Sequence, residues 1–319
     1  MEKYELQMIE KNSPEKKIAI LLPCHNEEAS IATVVRGFKK CIPQAVIYVY
    51  DNNSTDRTHE IARAAGAIVR KERRQGKGHV IRRMFQDIDA DIYIMADGDG
   101  TYHAESAPAM IELLEQNHLD MVVGIRKTPD KSRAYRSGHA WGNRFFCLII
   151  QLLFTGSHFT DVLSGYRVMS RRFVKTFSND SKGFEIEVQL TVHALELSLP
   201  CEDFETQYFE RHAGSQSKLR TYRDGWAILM EIAHLLKEAR PLFFFGLASL
   251  FPALAALTAG IPVVIEYLDT GLVPRFPTAI LASGLGIISM VMLSIGLMLD
   301  SVSKTRIESK RLAYLALNR

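Results

Sequence analysis

Short apolar runs alternate with amphipathic segments over the first 124 residues of the chain. The apolar runs have the length and the β-branched or aromatic content of buried strands, and they lie at 18–22, 45–50, 67–69, 92–96 and 121–124. The segments between them have the apolar spacing of helices, and they lie at 27–40, 56–65, 78–88 and 106–116. This alternation predicts an α/β domain with a mainly parallel sheet covered by helices on both faces. Ligands of such sheets bind beyond the carboxyl ends of the strands.

Two uncharged apolar stretches lie near the end of the sequence, at 242–265 and 278–299. They are 24 and 22 residues long, and a helix needs about 20 residues to cross a bilayer. They therefore predict a transmembrane hairpin with a short polar turn. The alternative is a pair of buried helices in a soluble core, where charge-free runs of this length are rare. Association of copies through the hairpins is compatible with the sequence, which does not count subunits.

Basic residues flank the hairpin unequally. Those outside it are Lys237, Arg240, Lys304, Arg306, Lys310 and Arg311, whereas the turn within it holds one arginine, Arg275. Basic residues near membrane spans stay on the cytoplasmic side. We therefore expect an integral protein of the cytoplasmic membrane, with the α/β domain and both termini in the cytoplasm. If this domain carries out chemistry beside the membrane, one of its substrates is expected to be a lipid.

The rest of the chain divides where its composition changes. A polar N-terminal segment, 1–17, precedes a domain that we predict at 18–221, and a linking helix at 222–241 leads into the hairpin. A basic amphipathic tail follows at 300–319. Within the domain, a stretch at about 135–156 is rich in apolar and basic residues but its apolar part is too short to span a bilayer. It is either an interfacial helix or an ordinary core helix.

Composition disfavours several classes of protein. The net charge of +3 is too small to indicate a nucleic-acid partner. The four cysteines are widely separated and form no CxxC pair, which argues against a zinc site or a disulfide framework and favours a reducing compartment. The polar N-terminus does not resemble a signal peptide. No Gly-x-Gly-x-x-Gly follows the first strand, which disfavours a dehydrogenase.

The triplet Asp97-Gly98-Asp99 directly follows a predicted strand. Two carboxylates one residue apart suit a hard cation, and Mg²⁺ commonly combines one or two carboxylates with water and substrate phosphates. Such triplets also occur by chance, but the position after a buried strand favours a metal-bound nucleotide diphosphate.

Two further polar turns lie at expected strand or helix ends. The segment from Asp51 to Asp56 follows the second strand and could bind a base or ribose, cap the next helix as an Asx-type turn, or do both. The loop at 73–78 lacks Walker A spacing, but its glycines on either side of Lys77 allow an approach to phosphates. Its simpler interpretation is a solvated surface turn.

Five motifs occur in an order that resembles one enzyme family. They are Pro23-Cys24-His25-Asn26-Glu27-Glu28, Asp51-Asn52-Asn53-Ser54-Thr55-Asp56, Gly76-Lys77-Gly78, Asp97-Gly98-Asp99 and Ser164-Gly165-Tyr166-Arg167. The chain is similar to the family 2 glycosyltransferases of the GT-A fold. Within them it resembles the polyprenyl-phosphate glycosyltransferases, the group that includes the dolichol-phosphate mannose synthases and bacterial relatives with two C-terminal membrane helices. The resemblance covers about residues 17–220 by motif and the rest by topology.

The resemblance implies a role for each matching residue. The nucleotide sugar would be bound by Pro23, Asn26, Glu27, Asp51, Asn53, Lys77, Asp97 and Gly98. Mg²⁺ or Mn²⁺ would be held by Asp97 and Asp99. Residues implied in catalysis are Asp99, Arg126, Arg167, Arg211, Lys218 and Glu187, with Glu185 and Glu187 beside the sugar. The acceptor phosphate would be bound by Arg126, Arg136, Arg167, Arg211, Ser215 and Lys218.

Some residues depart from the family pattern. Asn52 stands where many members have a second aspartate, and Arg57 where many have glycine. Thr101 stands where mannose synthases often place a metal-binding glutamine, and Tyr102-His103 replaces a common pair. These differences blur the identity of the base and favour a UDP-sugar over a GDP-sugar.

The resemblance implies an inverting transfer of a sugar from a nucleotide diphosphate sugar to polyprenyl phosphate, for cell-envelope or glycan assembly. A phosphate acceptor is ionised at neutral pH, so the lack of a catalytic triad in the sequence is expected. Two alternatives stay open: a transferase that acts on a glycan or lipid hydroxyl, with Glu187 or Asp161 as base, and a non-catalytic membrane scaffold that senses nucleotide sugar. A processive polysaccharide synthase is disfavoured because Gln-x-x-Arg-Trp is absent.

Overall fold

The computed structural model describes residues 16–127, 159–178, 186–207 and 236–317, together with 148, 150, 151, 154 and 234. The chain divides into two compact units. The first contains Met1–Lys218 and Ala313–Arg319, and the second contains Leu219–Leu312.

Among the described residues, the first unit is built around a seven-stranded sheet. Its strands are β1 (Ile18–Cys24), β2 (Val46–Asp51), β3 (Ile68–Lys71), β4 (Ile92–Met95), β5 (Met121–Lys127), β6 (Arg167–Ser170) and β7 (Cys201–Gln207). They lie in the order β3-β2-β1-β4-β6-β5-β7. β6 runs antiparallel to β4 and β5, and the other described pairings are parallel. The sheet is therefore mainly parallel, as predicted, with one reversed strand.

Helices cover this sheet. They are α1 (Ile31–Cys41), α2 (Thr58–Ala64), α3 (Lys77–Asp87), α4 (Ala107–Gln116), α5 (Arg171–Thr176) and α6 (Ile186–Leu197), with a short 3₁₀ turn at Ala104–Ser106. In α1, the residues Ile31, Val34, Val35 and Phe38 share one face at helical spacing and are all buried. This face joins the apolar side chains of β1, β2 and β4 in one core.

The strand directions decide which segments meet at one edge of the sheet. β1, β2, β4 and β5 all end at that edge, because β1, β2 and β4 are parallel and both β4 and β5 oppose β6. β6 begins there, and its first residue, Arg167, pairs with Met95 at the end of β4. The turn that leads into β6, Ser164-Gly165-Tyr166, is thereby brought beside the acidic triplet that follows β4.

The predicted elements agree with the structure over residues 18–127, apart from their ends. β1 continues through Pro23 to Cys24. α1 begins at Ile31 rather than at 27, because residues 27–30 form a turn in which Ser30 N–H donates to Glu27 O at 3.1 Å. β6, β7, α5 and α6 have no predicted counterpart. The stretch at 135–156 and the linking helix at 222–241 lie largely outside the described residues.

Two long helices, α7 (Pro241–Thr270) and α8 (Phe276–Ala316), account for most of the described part of the second unit. They have 30 and 41 residues and are long and apolar enough to cross a membrane. Only 6% of the most apolar window of each helix is buried, which suggests a membrane protein. α7 and α8 contain the predicted spans. α8 continues without a break through most of the predicted tail, so the change from apolar to charged residues at 300 is not a helix end.

α7 and α8 contact each other closely within the second unit. Ser289 Oγ donates a hydrogen bond to Ser249 O at 2.9 Å. A Cβ on Gly296 would lie 3.0 Å from the Cβ of Phe245, so the absence of a side chain allows this approach. Gly271 ends α7 with a φ of 69°, a conformation that favours glycine.

Candidate active site

A buried lysine joins two carboxylates from distant parts of the chain. Lys77, the first residue of α3, donates through Nζ to Asp97 Oδ1 and to Glu187 Oε1, the latter at 2.5 Å. Asp97 follows β4, and Glu187 lies in the first turn of α6. These three residues are called the Lys77 cluster below. All three are predicted site residues, and the structure brings them together.

The Lys77 cluster is buried at Lys77 and Glu187 and partly open to water at Asp97. The side chains of Lys77 and Glu187 are 10% and 5% exposed, whereas that of Asp97 is 30% exposed. Burial raises the pKa of Glu187, although Lys77 opposes the rise. Burial alone would lower the pKa of Lys77, but Asp97 and Glu187 raise it above its ordinary value, so the ammonium stays charged. Glu187 Oε2 is buried and has no hydrogen-bond partner among the described residues, so it is available to a bound polar group.

Two glycines allow the surrounding turns to approach closely. A Cβ on Gly98 would overlap Cys24 Sγ. A Cβ on Gly165 would lie 2.9 Å from Asp97 Oδ2 and 3.1 Å from Lys77 Nζ. The turn before β6 therefore lies directly against the Lys77 cluster, and the space beside Asp97 Oδ2 exists because position 165 has no side chain.

The second carboxylate of the triplet is held by its own turn. Asp99 is 5% exposed, and Asp99 Oδ1 accepts hydrogen bonds from Thr101 Oγ1 at 2.7 Å and from Thr101 N–H at 3.1 Å. Asp97 and Asp99 offer hard oxygen donors, which fit Mg²⁺ or Mn²⁺ completed by water and phosphate oxygens. In the described ranges, no group of three or more His, Cys, Asp or Glu side chains could hold a metal ion.

Several carboxylates lie around Cys24 at this edge of the sheet. Burial raises the pKa of the Cys24 thiol, and the charges of Glu27, Asp97, Asp51 and Asp99 raise it further. Carboxylates from the ends of three strands therefore act on one point.

The first and second motifs are joined by hydrogen bonds. Asp51 Oδ1 accepts from Ser54 N–H at 2.9 Å, and Asn26 Oδ1 accepts from Thr55 N–H at 2.8 Å. Asn26 and Asn53 have φ values of 56° and 61°, in the left-handed region that asparagine tolerates. Asp51 thus takes part in an Asx-type turn, and its contact with a base or ribose stays a prediction.

The first motif also contacts α2 and the acidic triplet. Pro23 lies in β1 and pairs with Tyr50 of β2. Glu27 N–H donates to Thr58 Oγ1 at 2.8 Å, and Ser30 Oγ donates to Gly98 O at 2.8 Å. The segment 27–30 therefore links the ends of β1, β2 and β4.

Arg126 is held by a carboxylate at the end of β5. Its Nε and Nη2 atoms donate to the two oxygens of Asp161, at 2.7 and 2.8 Å. Thr160 N–H and Oγ1 both donate to Asp203 Oδ2 at 2.8 Å, which fixes this turn to β7. Asp161 is 4% exposed and Arg126 is 19% exposed. The contact of Arg126 with an acceptor phosphate stays a prediction.

Arg167 lies where it cannot play its predicted role. Its side chain is fully buried, and the guanidinium donates to the carbonyl oxygens of Ser164, Val162 and Glu187 at 3.0, 2.9 and 2.9 Å. A further bond reaches Thr191 Oγ1 at 3.0 Å. The guanidinium has no exposed face for an acceptor phosphate, which corrects the prediction. It instead ties the turn before β6 to α6, the helix that carries Glu187.

The remaining predicted site residues lie outside the described residues. They are Arg136, Glu185, Arg211, Ser215 and Lys218. Their roles stay predictions.

Two polar residues contribute to the site without having been predicted. Tyr102 Oη accepts a hydrogen bond from Gly165 N–H at 2.9 Å, and Thr191 binds Arg167. Their partners are 63 and 24 residues away along the chain. No local pattern marks such contacts, although Tyr102 lies next to the acidic triplet.

Comparison with known proteins identifies the family. The sequence profile "Glycosyl transferase family 2" matches residues 19–177. Glycosyltransferase AglJ of Haloferax volcanii is 35% identical over 234 residues, or 72% of this chain and 75% of the relative. A dolichyl-phosphate hexose transferase of that organism is 26% identical, over 70% of this chain and 95% of the relative. An undecaprenyl-phosphate mannosyltransferase of Micrococcus luteus is 22% identical, over 64% of this chain and 87% of the relative. The chain belongs to glycosyltransferase family 2.

Solved structures agree in fold. Glucosyl-3-phosphoglycerate synthase of Mycobacterium tuberculosis with Mn²⁺, UDP-glucose and phosphoglyceric acid has a TM-score of 0.56 at 23% identity, covering 70% of this chain and 80% of that one. The structure with Mg²⁺ and UDP has a TM-score of 0.56 at 21% identity, covering 73% and 82%. The predicted GT-A fold, followed here by two long apolar helices, is confirmed. The chain is a glycosyltransferase, and this finding disfavours the alternative of a non-catalytic scaffold.

Proposed function

We propose that this chain transfers a sugar from a nucleotide diphosphate sugar to polyprenyl phosphate. The supporting observation is the Lys77 cluster, which lies at the carboxyl edge of the sheet in a chain that also carries two helices apolar enough to cross a membrane. The cluster suits a water-soluble donor, and the helices suit a lipid acceptor. The relatives named for dolichyl-phosphate and undecaprenyl-phosphate transfer support this acceptor class.

The donor diphosphate would lie beside Asp97, Asp99 and Lys77. Mg²⁺ or Mn²⁺ held by the two carboxylates would supply positive charge to the leaving diphosphate. Lys77 adds a buried ammonium, a strong hydrogen-bond donor to phosphate oxygens. Asp51, at the end of β2, would accept hydrogen bonds from the base or ribose. We favour a UDP-sugar for two reasons. Thr101, which donates a hydrogen bond to Asp99, stands where mannose synthases often place a metal-binding glutamine, and a structural neighbour binds UDP-glucose.

Glu187 would contact the transferred sugar. Its Oε1 atom is engaged by Lys77, whereas its buried Oε2 has no partner among the described residues. A buried acceptor without a donor is costly, and a sugar hydroxyl would satisfy it. Arg167 helps to hold Glu187 in this position because its guanidinium donates a hydrogen bond to Glu187 O.

The acceptor phosphate needs cations rather than a base. A phosphate monoester is already ionised at neutral pH, so its attack on the anomeric carbon depends on positioning and charge stabilisation. Arg126, oriented by Asp161, presents a planar fork that suits phosphate. Arg136, Arg211, Ser215 and Lys218 would complete the acceptor site. A single displacement of this kind inverts the anomeric configuration.

A hydroxyl acceptor would require a base, and both candidates are engaged. Asp161 forms a two-pronged ion pair with Arg126, and Glu187 is bound to Lys77. Asp161 would have to release Arg126 before taking a proton, and the charge of Lys77 lowers the proton affinity of Glu187. The phosphate acceptor is therefore favoured.

The catalytic unit and both termini would lie on the cytoplasmic side, since basic residues flank the outer ends of the hairpin. The product would be a polyprenyl-phosphate-linked monosaccharide for cell-envelope or glycan assembly.

A transfer assay on the full-length protein in detergent tests the proposal. Radiolabelled UDP- and GDP-sugars are offered one at a time with undecaprenyl phosphate, with and without Mg²⁺ or Mn²⁺. Metal-dependent label in the organic phase from one donor is the expected result and identifies the sugar. No label in the lipid from any donor, in a protein that binds UDP, would contradict the proposal.

A further inference from the structure

One buried side chain holds the loop between β3 and α3. Asn52, the residue after β2, is 4% exposed. Its Nδ2 donates to the carbonyl oxygens of Glu72 at 3.1 Å and Arg74 at 2.7 Å. Its Oδ1 accepts from Gly76 N–H at 2.7 Å. A single amide thus binds three points of a five-residue loop, as donor at two and as acceptor at one.

The loop that Asn52 holds leads directly into Lys77. Gly76 precedes α3 with a φ of 129° and a ψ of 139°, a conformation that disfavours any residue with a side chain. The backbone direction at Gly76 decides where the Lys77 side chain starts. From there Lys77 Nζ reaches Asp97 and Glu187. The hydrogen bond from Gly76 to Asn52 therefore lies one residue from the cation of the site.

We infer that Asn52 is a positioning residue that acts through the 72–76 loop on Lys77, and so sets the affinity for the diphosphate part of the donor. This inference rests on the proposed function. Among the described residues, the side chain of Asn52 bonds to Glu72, Arg74 and Gly76 and not to the Lys77 cluster, so its effect passes through the backbone. Asn52 would therefore affect the binding of the donor and not the binding of the acceptor.

Only an amide can make all three contacts. A carboxylate of the same shape could still accept from Gly76 N–H, but it has no proton to donate to Glu72 O or Arg74 O. It would also place negative charge against two carbonyl oxygens. Asn52→Asp is therefore a nearly isosteric change that removes two hydrogen bonds and leaves the third.

Asn52→Asp is compared with Asn117→Asp in the full-length protein. Asn117, at the end of α4, also donates through Nδ2, to Glu202 at 3.2 Å, and it is exposed. The control thus makes the same chemical change at a donor outside the site. UDP binding with Mn²⁺ is measured by calorimetry, donor KM and kcat by the transfer assay, and exchange of backbone amides in 72–78 by mass spectrometry.

Asn52→Asp should weaken UDP binding and raise the donor KM by about tenfold, the effect of roughly one hydrogen bond to a charged group. The kcat at saturating donor and the acceptor KM should change much less, and exchange in 72–78 should become faster. Asn117→Asp should change none of these. Unchanged UDP binding in Asn52→Asp, or unchanged exchange, would overturn the inference.

A double-mutant cycle separates positioning from a general loss of structure. If Asn52 acts through Lys77, Asn52→Asp should have little further effect on UDP binding in the Lys77→Met background. An equal effect in both backgrounds would overturn the inference. If Asn52→Asp does not fold, Asn52→Ser replaces it, with a smaller loss of the same kind expected. A wild-type protein that binds no nucleoside diphosphate would refute the proposed function and this inference with it. A wild type that binds UDP, together with an unaffected variant, would refute the inference alone.

Discussion

Replacing Lys77 with methionine removes the charge of the Lys77 cluster while keeping a long unbranched side chain. In the wild type, Lys77 Nζ contacts both Asp97 and Glu187, and Glu187 is only 5% exposed. Removing one partner of a buried ion pair costs about 3–5 kcal/mol, because the other charge stays buried and uncompensated. Since Asp97 is 30% exposed, water can solvate it, and Glu187 accounts for most of the loss. We expect Lys77→Met to lower the free energy of unfolding by about 3 kcal/mol.

The loss should depend on pH through Glu187. Burial raises the pKa of Glu187 and Lys77 opposes the rise, so removing Lys77 lets the pKa rise further. A carboxyl group with a raised pKa in the folded protein costs stability as the pH increases from its ordinary pKa through the raised one. The wild type and Lys77→Met should therefore differ most near about pH 8 and least near about pH 5. Lys77 does not titrate in this range, because Asp97 and Glu187 outweigh its burial.

Thermal unfolding of the full-length protein in detergent measures the effect. About 3 kcal/mol corresponds to a fall of about 6–12 °C for a domain of this size. Lys16→Met is the matched control, since Lys16 pairs with Glu115 at 2.7 Å on the surface, with side chains 58% and 39% exposed. Such a pair contributes about 0–1 kcal/mol. Adding Glu187→Gln to Lys77→Met should restore most of the stability. A loss that does not vary with pH, or no recovery with Gln, would refute the reasoning.

Three further substitutions test individual parts of the site. Asp99→Ala should fold normally and lower turnover by about 10³-fold, the scale of losing a main electrostatic group, and near-normal turnover in the transfer assay would contradict its metal role. Gly165→Ala would place a Cβ 2.9 Å from Asp97 Oδ2 and should raise the donor KM by about tenfold, whereas Gly37→Ala, with its nearest contact at 3.5 Å, should not. Arg167→Lys should lower the melting temperature and leave the acceptor KM unchanged, because the guanidinium binds protein oxygens; a raised acceptor KM at normal stability would restore the acceptor role.

The fold was predictable where it depends on local patterns. The strands β1, β2 and β4 are apolar runs whose side chains are mostly buried, and the intervening helices carry regular apolar faces, as in α1. β6 was not predictable in this way. It has four residues and begins with an arginine, and only its pairing with β4 and β5 makes it a strand. β7 has mixed, half-buried residues without an apolar run.

The features of the site also divide into those that a local sequence pattern indicates and those that depend on distant parts of the chain. The acidic triplet could be recognised because its two carboxylates are adjacent and follow a buried strand. The pairing of Lys77 with Glu187 joins residues 110 positions apart, so no local spacing indicates it. The acceptor role of Arg167 was implied by the family resemblance alone, whereas its guanidinium is fully buried and bound to protein oxygens. In the sequence, Asn52 could be noticed only because many family members have aspartate at this position. In the structure, its amide donates to Glu72 O and Arg74 O and accepts from Gly76 N–H, and an aspartate could not make the first two of these hydrogen bonds.

The central claim is that the acceptor is the phosphate of a polyprenyl lipid, and the most direct test compares two acceptors that differ only in that group. Undecaprenyl phosphate and undecaprenol are offered to the full-length protein with the donor that gives transfer, and the products are analysed by mass spectrometry. The account predicts a sugar-phosphate-lipid product from the first and none from the second, because the proposed arginine site binds the phosphate, whereas the two candidate bases, Asp161 and Glu187, are paired with Arg126 and Lys77. Equal transfer to undecaprenol would contradict it and would assign the chain to the hydroxyl-directed transferases.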